Sequence, residues 1–303
     1  MSFLEMQQGM QLHWDRAKVW AAQSGLADYV PESVSRAWGT SMTPEEHGYL
    51  RDAFSTRVDT VQAKLNLPMR AVVLSEGPAM EGARHSLREA YRKEPTLQWL
   101  LGGMHRDPQA MRKENQLLRW WCEWRVAAVC NFAYTLAIPY RPGAGGDAPV
   151  GAEEMHGLII VSPPGSKQEV HSVINYLRAS RDVSPPADLG HKCKSRFCAL
   201  TQMSSVRETL DSSEPHWYVH MLAVSPMGQG EGIGRALMRI VCAMADEDAL
   251  PVHLEVSGSR NKAFFEKCGF RALQTLEVTS EDAPTLKINV MTRVPFPKSI
   301  ELA

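Results

Sequence analysis

The sequence predicts an α/β protein with a helical N-terminal extension, and three observations carry that reading. The hydrophobic period changes near Met69, from the helical spacing of Leu50, Phe54, Val58, Val61 and Leu65 to a short β-branched run over 69–74. From there helical stretches alternate with short apolar runs as far as residue 293. Within that part a strand pattern over 217–224 passes through a glycine-rich turn straight into an amphipathic helix.

The elements follow in order. Residues 12–23 are rich in helix formers and end near Gly25, and 29–41, with Pro31 and Gly39, read as a loop. Thr43-Pro44-Glu45-Glu46 is a capping box: Thr43 caps, Pro44 takes the first helical position and Glu46 reaches back to the cap amide. After the strand at 69–74, residues 80–101 and 108–131 read as helices, the second with Leu117, Trp120, Trp121, Trp124 and Ala128 on a broad apolar face. Strands are expected at 131–139 and at 157–161, the latter ending at Pro163-Pro164-Gly165, with a turn-rich loop over 141–147 between them. Helical signal returns at 168–180, and the polar stretch 182–212, with Pro185-Pro186, reads as an exposed insertion. Beyond the glycine turn, Leu237, Ile240, Val241 and Met244 define a helix whose acidic end, Asp246-Glu247-Asp248, opposes its dipole. A strand at 252–256, a short helix opened by Asn261 and closed by Gly269, a strand from Phe270 and a last strand at 288–293 complete the pattern. The expected division is a helical extension over 1–65, a body over 66–296 and a tail over 297–303.

Composition narrows the function classes. Thirty-three basic against 34 acidic residues give a formal net charge of −1, which excludes a bulk basic footprint for nucleic acid. No run of about 18 apolar residues is present, so no membrane span is expected. The first residues lack a basic region followed by an apolar stretch, so a secretory signal is not expected either. Six cysteines in 303 residues do not make a disulfide scaffold and point to a reducing compartment, read as the cytoplasm.

The turn Gln229, Gly230, Glu231, Gly232, Ile233, Gly234, Arg235 carries the chemistry. Glycines allow positive φ and a close ligand approach, and the free amides at a helix start meet negative charge. The spacing is neither a P-loop nor the dinucleotide fingerprint, and tight turns use glycine everywhere. Two signatures together are more specific. Gln229-x-x-Gly232-x-Gly234, entered from Leu222-Ala223-Val224-Ser225-Pro226, resembles the pyrophosphate loop of the GNAT N-acetyltransferase superfamily. Asn261 to Phe270, with Phe264-Phe265-Glu266-Lys267, resembles that family's second signature, in the same order. The stretch 214–296 is most similar to the puromycin N-acetyltransferase group, and a weaker likeness reaches back to about Met69 through 94–101 and the strand ending at 162–165.

The resemblance implies a mixed central sheet flanked by helices. It implies two neighbouring strands, here 217–224 and 252–256, splaying into a V-shaped acyl-CoA cleft. It implies acetyl-CoA as donor and co-substrate, without a metal, and a small amine or peptide as acceptor. Backbone groups of Leu222, Ala223 and Val224 would bond pantetheine like an added strand, and an amide there would polarise the thioester. The loop residues 229–235, with Asn261, Phe264 and Phe265, would hold the rest of the cofactor.

For the proton on the attacking amine three readings stay open: His220 on the first strand, Glu255 on the second with His253 at the same parity, or neither, both being polar residues at a sheet end. The family's tyrosine acid is replaced by Phe265, which has no proton to give; Tyr218, at the parity of His220, is the candidate substitute. His191, Cys193 and Cys198 lack the second ligand pair of a zinc site. Cys242 reads as core, Cys268 as a small apolar position, and Trp120, Trp121 and Trp124 as core in preference to a substrate pocket. The function expected is an N-acetyltransferase, compatible with a homodimer. A CoA-binding regulatory module without catalysis, or a protein or peptide N-acetyltransferase, is the alternative.

Overall fold

The computed structural model describes residues 44–75, 77–102, 108–129, 133–139, 155–164 and 215–296, with scattered positions between 179 and 200. The capping residue Thr43, the helix expected at 12–23, the 141–147 loop and the 297–303 tail lie outside the described residues, as does nearly all of the helix expected at 168–180. The chain divides into two units, Met1–Phe54 and Ser55–Ala303. Of the first, the described part is the opening of helix α1 (Pro44–Leu65).

The second unit holds the sheet. After the closing turns of α1 come β1 (Val72–Val73), α2 (Pro78–Tyr91), α3 (Pro95–Leu101), α4 (Pro108–Val129), β2 (Tyr134–Pro139), β3 (Met155–Ser162) and β4 (Trp217–Val224). Then follow α5 (Ile233–Asp248), β5 (Val252–Ser257), α6 (Ser259–Lys267), β6 (Arg271–Ser280) and β7 (Ala283–Arg293). Seven strands form one mixed sheet in the order β1-β2-β3-β4-β5-β7-β6, antiparallel throughout except where β4 meets β5. This is the helix-flanked mixed sheet that the sequence predicts.

The body begins before residue 66. Gln62 exchanges hydrogen bonds with the backbone of Ala71, and Arg57 and Lys64 reach Asp248 and Glu247 on α5. These contacts also resolve the acidic end of α5. Its three carboxylates each meet a cation: Asp246 takes Arg293 at 2.8 Å through both oxygens, Asp248 takes Arg57 at 2.8 Å, and Glu247 takes Lys64 at 2.6 Å. Trp217 Nε1 donates to Asp248 as well. Arg293 is the buried member, at 5% side-chain exposure. Arg293→Met is expected to lower the unfolding free energy by about 2 kcal/mol, read from urea titration, because two charge-assisted bonds go and Asp246 stays behind.

The expected helix over 80–101 is two helices. Glu94 is forced extended (φ −70, ψ 131) ahead of Pro95, and its carboxylate then caps α3 by accepting from the Leu97 amide at 2.8 Å. The strand expected at 69–74 shortens to two residues, and the C-terminal part is a long hairpin, β6–β7, in place of two separate short strands. Where an exposed insertion was expected at 182–212, the described residues Cys193, Arg196 and Leu200 are buried; Arg196 donates to the Trp99 carbonyl and to Asp282.

The sheet separates two layers. Ala137, Met155, Leu158, Ile160, Tyr218, Met221 and Ala223 join the buried faces of α2, α3 and α4 in one core. On the opposite face α5 lies close against β3: a Cβ at Gly157 would stand 2.4 Å from Ile233 Cγ2, so only glycine admits that approach. Tyr218 and Met221 share a face although they are three residues apart. The register explains this. Ile160 pairs Met221 and Val161 pairs Val219, leaving His220 as an extra residue in a β-bulge. Strict alternation, which puts His220 on the parity of Tyr218, therefore fails at this point.

Candidate active site

The site begins where two strands part. β4 and β5 pair in parallel only at Trp217–Val252, Tyr218–His253 and Val219–Leu254; beyond these they diverge, although β4 runs on to Val224 and β5 to Ser257. A cleft of about 1060 Å³ opens in the V. The backbone of β4 faces it: the Leu222 amide bonds the Tyr91 hydroxyl, and the Val224 carbonyl accepts from Gln229 Nε2 at 3.2 Å.

At one end of the cleft lies the glycine turn. A 3-10 turn, Pro226–Gly228, leads into Gly230 and Gly232, both with positive φ (96° and 81°). The first intrahelical bond of α5 runs from the Ala236 amide to the Gly232 carbonyl at 2.9 Å, so the amides of Ile233, Gly234 and Arg235 point out of the helix start. A Cβ at Gly230 or Gly232 would meet nothing within 4 Å, whereas one at Gly234 would touch Phe264 and Val224 at 3.4 Å. The loop is therefore open above and packed below. Arg235 and Arg260 line this end of the cleft. Outward amides with two guanidinium groups are a donor set suited to a pyrophosphate.

Asn261 Nδ2 donates to the Ser257 carbonyl at 3.0 Å and ties α6 to the end of β5. Phe264 and Phe265 meet edge to face at 5.1 Å, and Phe265 packs on Phe270 at 5.8 Å. Both rings line the cleft, along with Leu222, Ala223 and Val224.

The three catalytic candidates come together here. His220 is half-buried, shares a 2.6 Å hydrogen bond between its Nε2 and Ser162 Oγ, and lies 4.9 Å from the Tyr218 ring. Glu255, half-buried on β5, faces the same cleft across the V. His253 does not line it and stands edge-on to His216 at 4.4 Å.

Sequence reasoning missed several groups. Tyr91 closes α2, and burial, followed by the nearby Glu94 carboxylate, raises its hydroxyl well above the ordinary tyrosine value, so it stays neutral. Glu94 takes Ser257 Oγ at 2.5 Å, and Thr96 meets the same hydroxyl at 2.9 Å, which clamps the α2–α3 corner onto β5. Ser162 is buried beneath His220. None of these pairings has a local signal, because each joins segments remote in sequence. Glu94 alone was legible, as an acidic residue before a proline at a helix start.

The aromatic residues of α4 are both core and wall. Trp121 and Trp124 stack at 5.7 Å and 27°, Phe197 stands edge-on to each, and all three line the cleft. Three cysteines are held as thiols by their surroundings: burial pushes Cys122 and Cys242 up to about 12, and raises Cys268. Among the described residues no group of three His, Cys, Asp or Glu side chains is placed to hold a metal, and no helix is long and apolar enough to cross a membrane.

Residues 196–272, spanning β4, the glycine loop, α5, β5 and α6, match the acetyltransferase (GNAT) domain family. Over 99 residues the chain is 30% identical to an uncharacterised N-acetyltransferase of Schizosaccharomyces pombe, covering 33% of this chain and 38% of that protein. Among solved structures, the chain is similar to a histone acetyltransferase HPA2-related acetyltransferase from Corynebacterium glutamicum (17% identity, 77% of this chain and 100% of that one, TM-score 0.47). It is also similar to arylalkylamine N-acetyltransferase 2 from Aedes aegypti (12% identity, 75% of this chain and 99% of that one, TM-score 0.45). The match to the acetyltransferase (GNAT) domain family thus lies over the parted strands and the outward amides of the glycine loop, and the chain spans well under half the length of the curated relative it matches.

Proposed function

We propose that the protein is an acetyl-CoA-dependent N-acetyltransferase that passes the acetyl group directly to an amine within a ternary complex. The observation that carries this is the parting of β4 from β5 directly above a loop whose free amides face the same cleft. Both requirements of the donor are then met in one place: an anion cradle for the pyrophosphate and an unpaired strand edge for the pantetheine amides. The resemblance of 214–296 to the puromycin N-acetyltransferase group supports a small-molecule acceptor.

Each residue then has a task. The Leu222 amide is the donor for the thioester oxygen, and the Tyr91 hydroxyl, which bonds that amide, gives way to it. His220 takes the proton as the amine nitrogen attacks. In the tautomer whose Nε2–H donates to Ser162 Oγ, Nδ1 acts as the base; the bulge re-aims this ring into the V. The C–N bond forms, the C–S bond breaks, and the proton on His220 is available to the departing sulfur, since Phe265 has none to give. Glu255 across the V attracts the incoming ammonium, which loses one proton to solvent before the neutral amine attacks; the second proton is the one His220 takes and passes to sulfur. Ser162→Ala is expected to lower kcat by up to about tenfold, the worth of one neutral hydrogen bond, with little change in KM for acetyl-CoA.

A second reading, a CoA-binding regulatory module, is favoured by Phe265. Calorimetry with CoA and an acetyl-transfer screen over small amines, aminoglycosides, polyamines and peptides separate the two. CoA binding with turnover on an amine is expected. CoA binding without turnover on any acceptor supports the regulatory module, and absence of CoA binding overturns both readings.

A further inference from the structure

The corner between α2 and α3 spans the V and is held to both of its strands. On the β4 side, the hydroxyl of Tyr91, the last residue of α2, takes the Leu222 amide. On the β5 side, Glu94 accepts from Ser257 Oγ at 2.5 Å, and Thr96 meets the same hydroxyl at 2.9 Å. The corner is also braced from within. The Glu94 amide donates to the Tyr91 carbonyl at 2.9 Å, Gln98 Nε2 donates to the Arg92 carbonyl at 2.6 Å, and the Glu94 carboxylate caps α3. Tyr91 therefore lines the cleft on a fixed support.

The edge of β4 shows what that hydroxyl stands in for. Alternate residues of a strand turn their backbone groups to the same side. The Ser225 amide donates to the His156 carbonyl of β3 at 2.8 Å, so Ala223 faces β3 as well, while Leu222 and Val224 face the V. The two contacts on that edge agree with this: Tyr91 on the Leu222 amide and Gln229 on the Val224 carbonyl. A bound carbonyl would put its oxygen on the Leu222 amide, and the Tyr91 oxygen occupies that place. An arriving oxygen displaces the phenol by about one hydrogen-bond length, roughly 3 Å, which leaves its O–H beside the newcomer. Burial holds the hydroxyl protonated, so it can donate a hydrogen bond without giving up its proton. The backbone offers the oxyanion a single N–H at this point, and a tetrahedral oxyanion accepts more than one donor.

We infer that Tyr91 is a catalytic residue whose hydroxyl is the second donor to the thioester oxygen, beside the Leu222 amide. The contact strengthens as negative charge builds on that oxygen, and no bond at Tyr91 is made or broken. The inference rests on the transferase reading, because it needs an acyl oxygen in the V.

The test uses the full chain and acetyl-CoA isotope-labelled at the thioester carbonyl carbon. The carbonyl stretch of the bound thioester is read by infrared difference spectroscopy with no acceptor present. Tyr91→Phe is expected to move that band to higher wavenumber than in the unaltered protein, because a donor is lost. A ring-fluorinated tyrosine at position 91, more acidic and of nearly the same size, is expected to move it lower. Calorimetry with CoA, which has no acyl oxygen, is expected to give unchanged affinity in both proteins. On the best amine of the acceptor screen, Tyr91→Phe is expected to lose about a hundredfold in kcat, the cost of one oxyanion donor, with the KM for acetyl-CoA unchanged. A band that does not move in the fluorinated protein overturns the role of Tyr91 and leaves the transferase reading standing, as does one that does not rise in a Tyr91→Phe protein of normal CoA affinity. Both shifts without turnover on any amine uphold the second donor and overturn the transferase reading instead. Absence of acetyl-CoA binding overturns both.

Discussion

Replacing His220 by alanine is expected to lower kcat by about 10²–10⁴-fold while the KM values for both substrates move little, the signature of a lost general base. The reason is positional. His220 is the bulged residue of β4, its Nε2 is anchored on the buried Ser162, and its ring opens into the V next to Tyr218. The acid limb of the pH–rate profile should flatten in the variant, because the group whose protonation halts turnover is gone. Glu255→Gln provides the contrast. As an electrostatic partner of the ammonium, Glu255 acts on acceptor binding, so its removal should raise the acceptor KM more than it lowers kcat. A His220→Ala enzyme with ordinary turnover, together with a Glu255→Gln enzyme that has lost it, would transfer the base role to β5.

Gly232→Val should weaken CoA binding about a hundredfold, read by calorimetry. Gly232 caps α5 with φ 81°, a conformation that costs a β-branched residue about 1–3 kcal/mol. Valine there draws the turn away from the geometry that aims the Ile233, Gly234 and Arg235 amides outward. Its side chain would also project into the open space above the loop, where a phosphate must approach. Gly234→Ala makes an informative companion. It keeps a helical φ and meets Phe264 and Val224 at 3.4 Å, so it should disturb packing slightly and affinity much less. Unchanged CoA affinity in the Gly232→Val protein would remove the loop from the binding site.

Much of the glycine-loop end of the cleft was legible in the chain itself. Gly230, Gly232 and Gly234 stand between an apolar run and an amphipathic helix, and such a turn requires its unusual backbone whatever surrounds it. Leu237, Ile240, Val241 and Met244 marked one buried face of α5 by spacing alone, and all four are buried. Asn261 and Phe264-Phe265 likewise belong to a short local pattern, and Gly269 does follow the end of α6. The break in the helix at 80–101 was missed although Pro95 marks it, because helical spacing on both sides concealed it.

The arrangement around His220, Tyr218 and Tyr91 was not legible, for a physical reason. His220 and Tyr218 look equivalent in an alternating strand, and only the pairing of β4 with β3 reveals His220 as the extra residue. Tyr91 has no sequence mark that links it to Leu222, and Glu94 reaches Ser257 only because Pro95 packs against the turn at Gly258. Local backbone demands, such as positive φ, amphipathic period and helix capping, act over a few residues, and the sequence by itself determined the glycine turn, the helix behind it and the α/β alternation. Strand register, the point at which β4 leaves β5, and which carboxylates are already satisfied depend on packing between remote segments. Only the tertiary structure decided those, because their energies arise from contacts that no stretch of chain makes with itself.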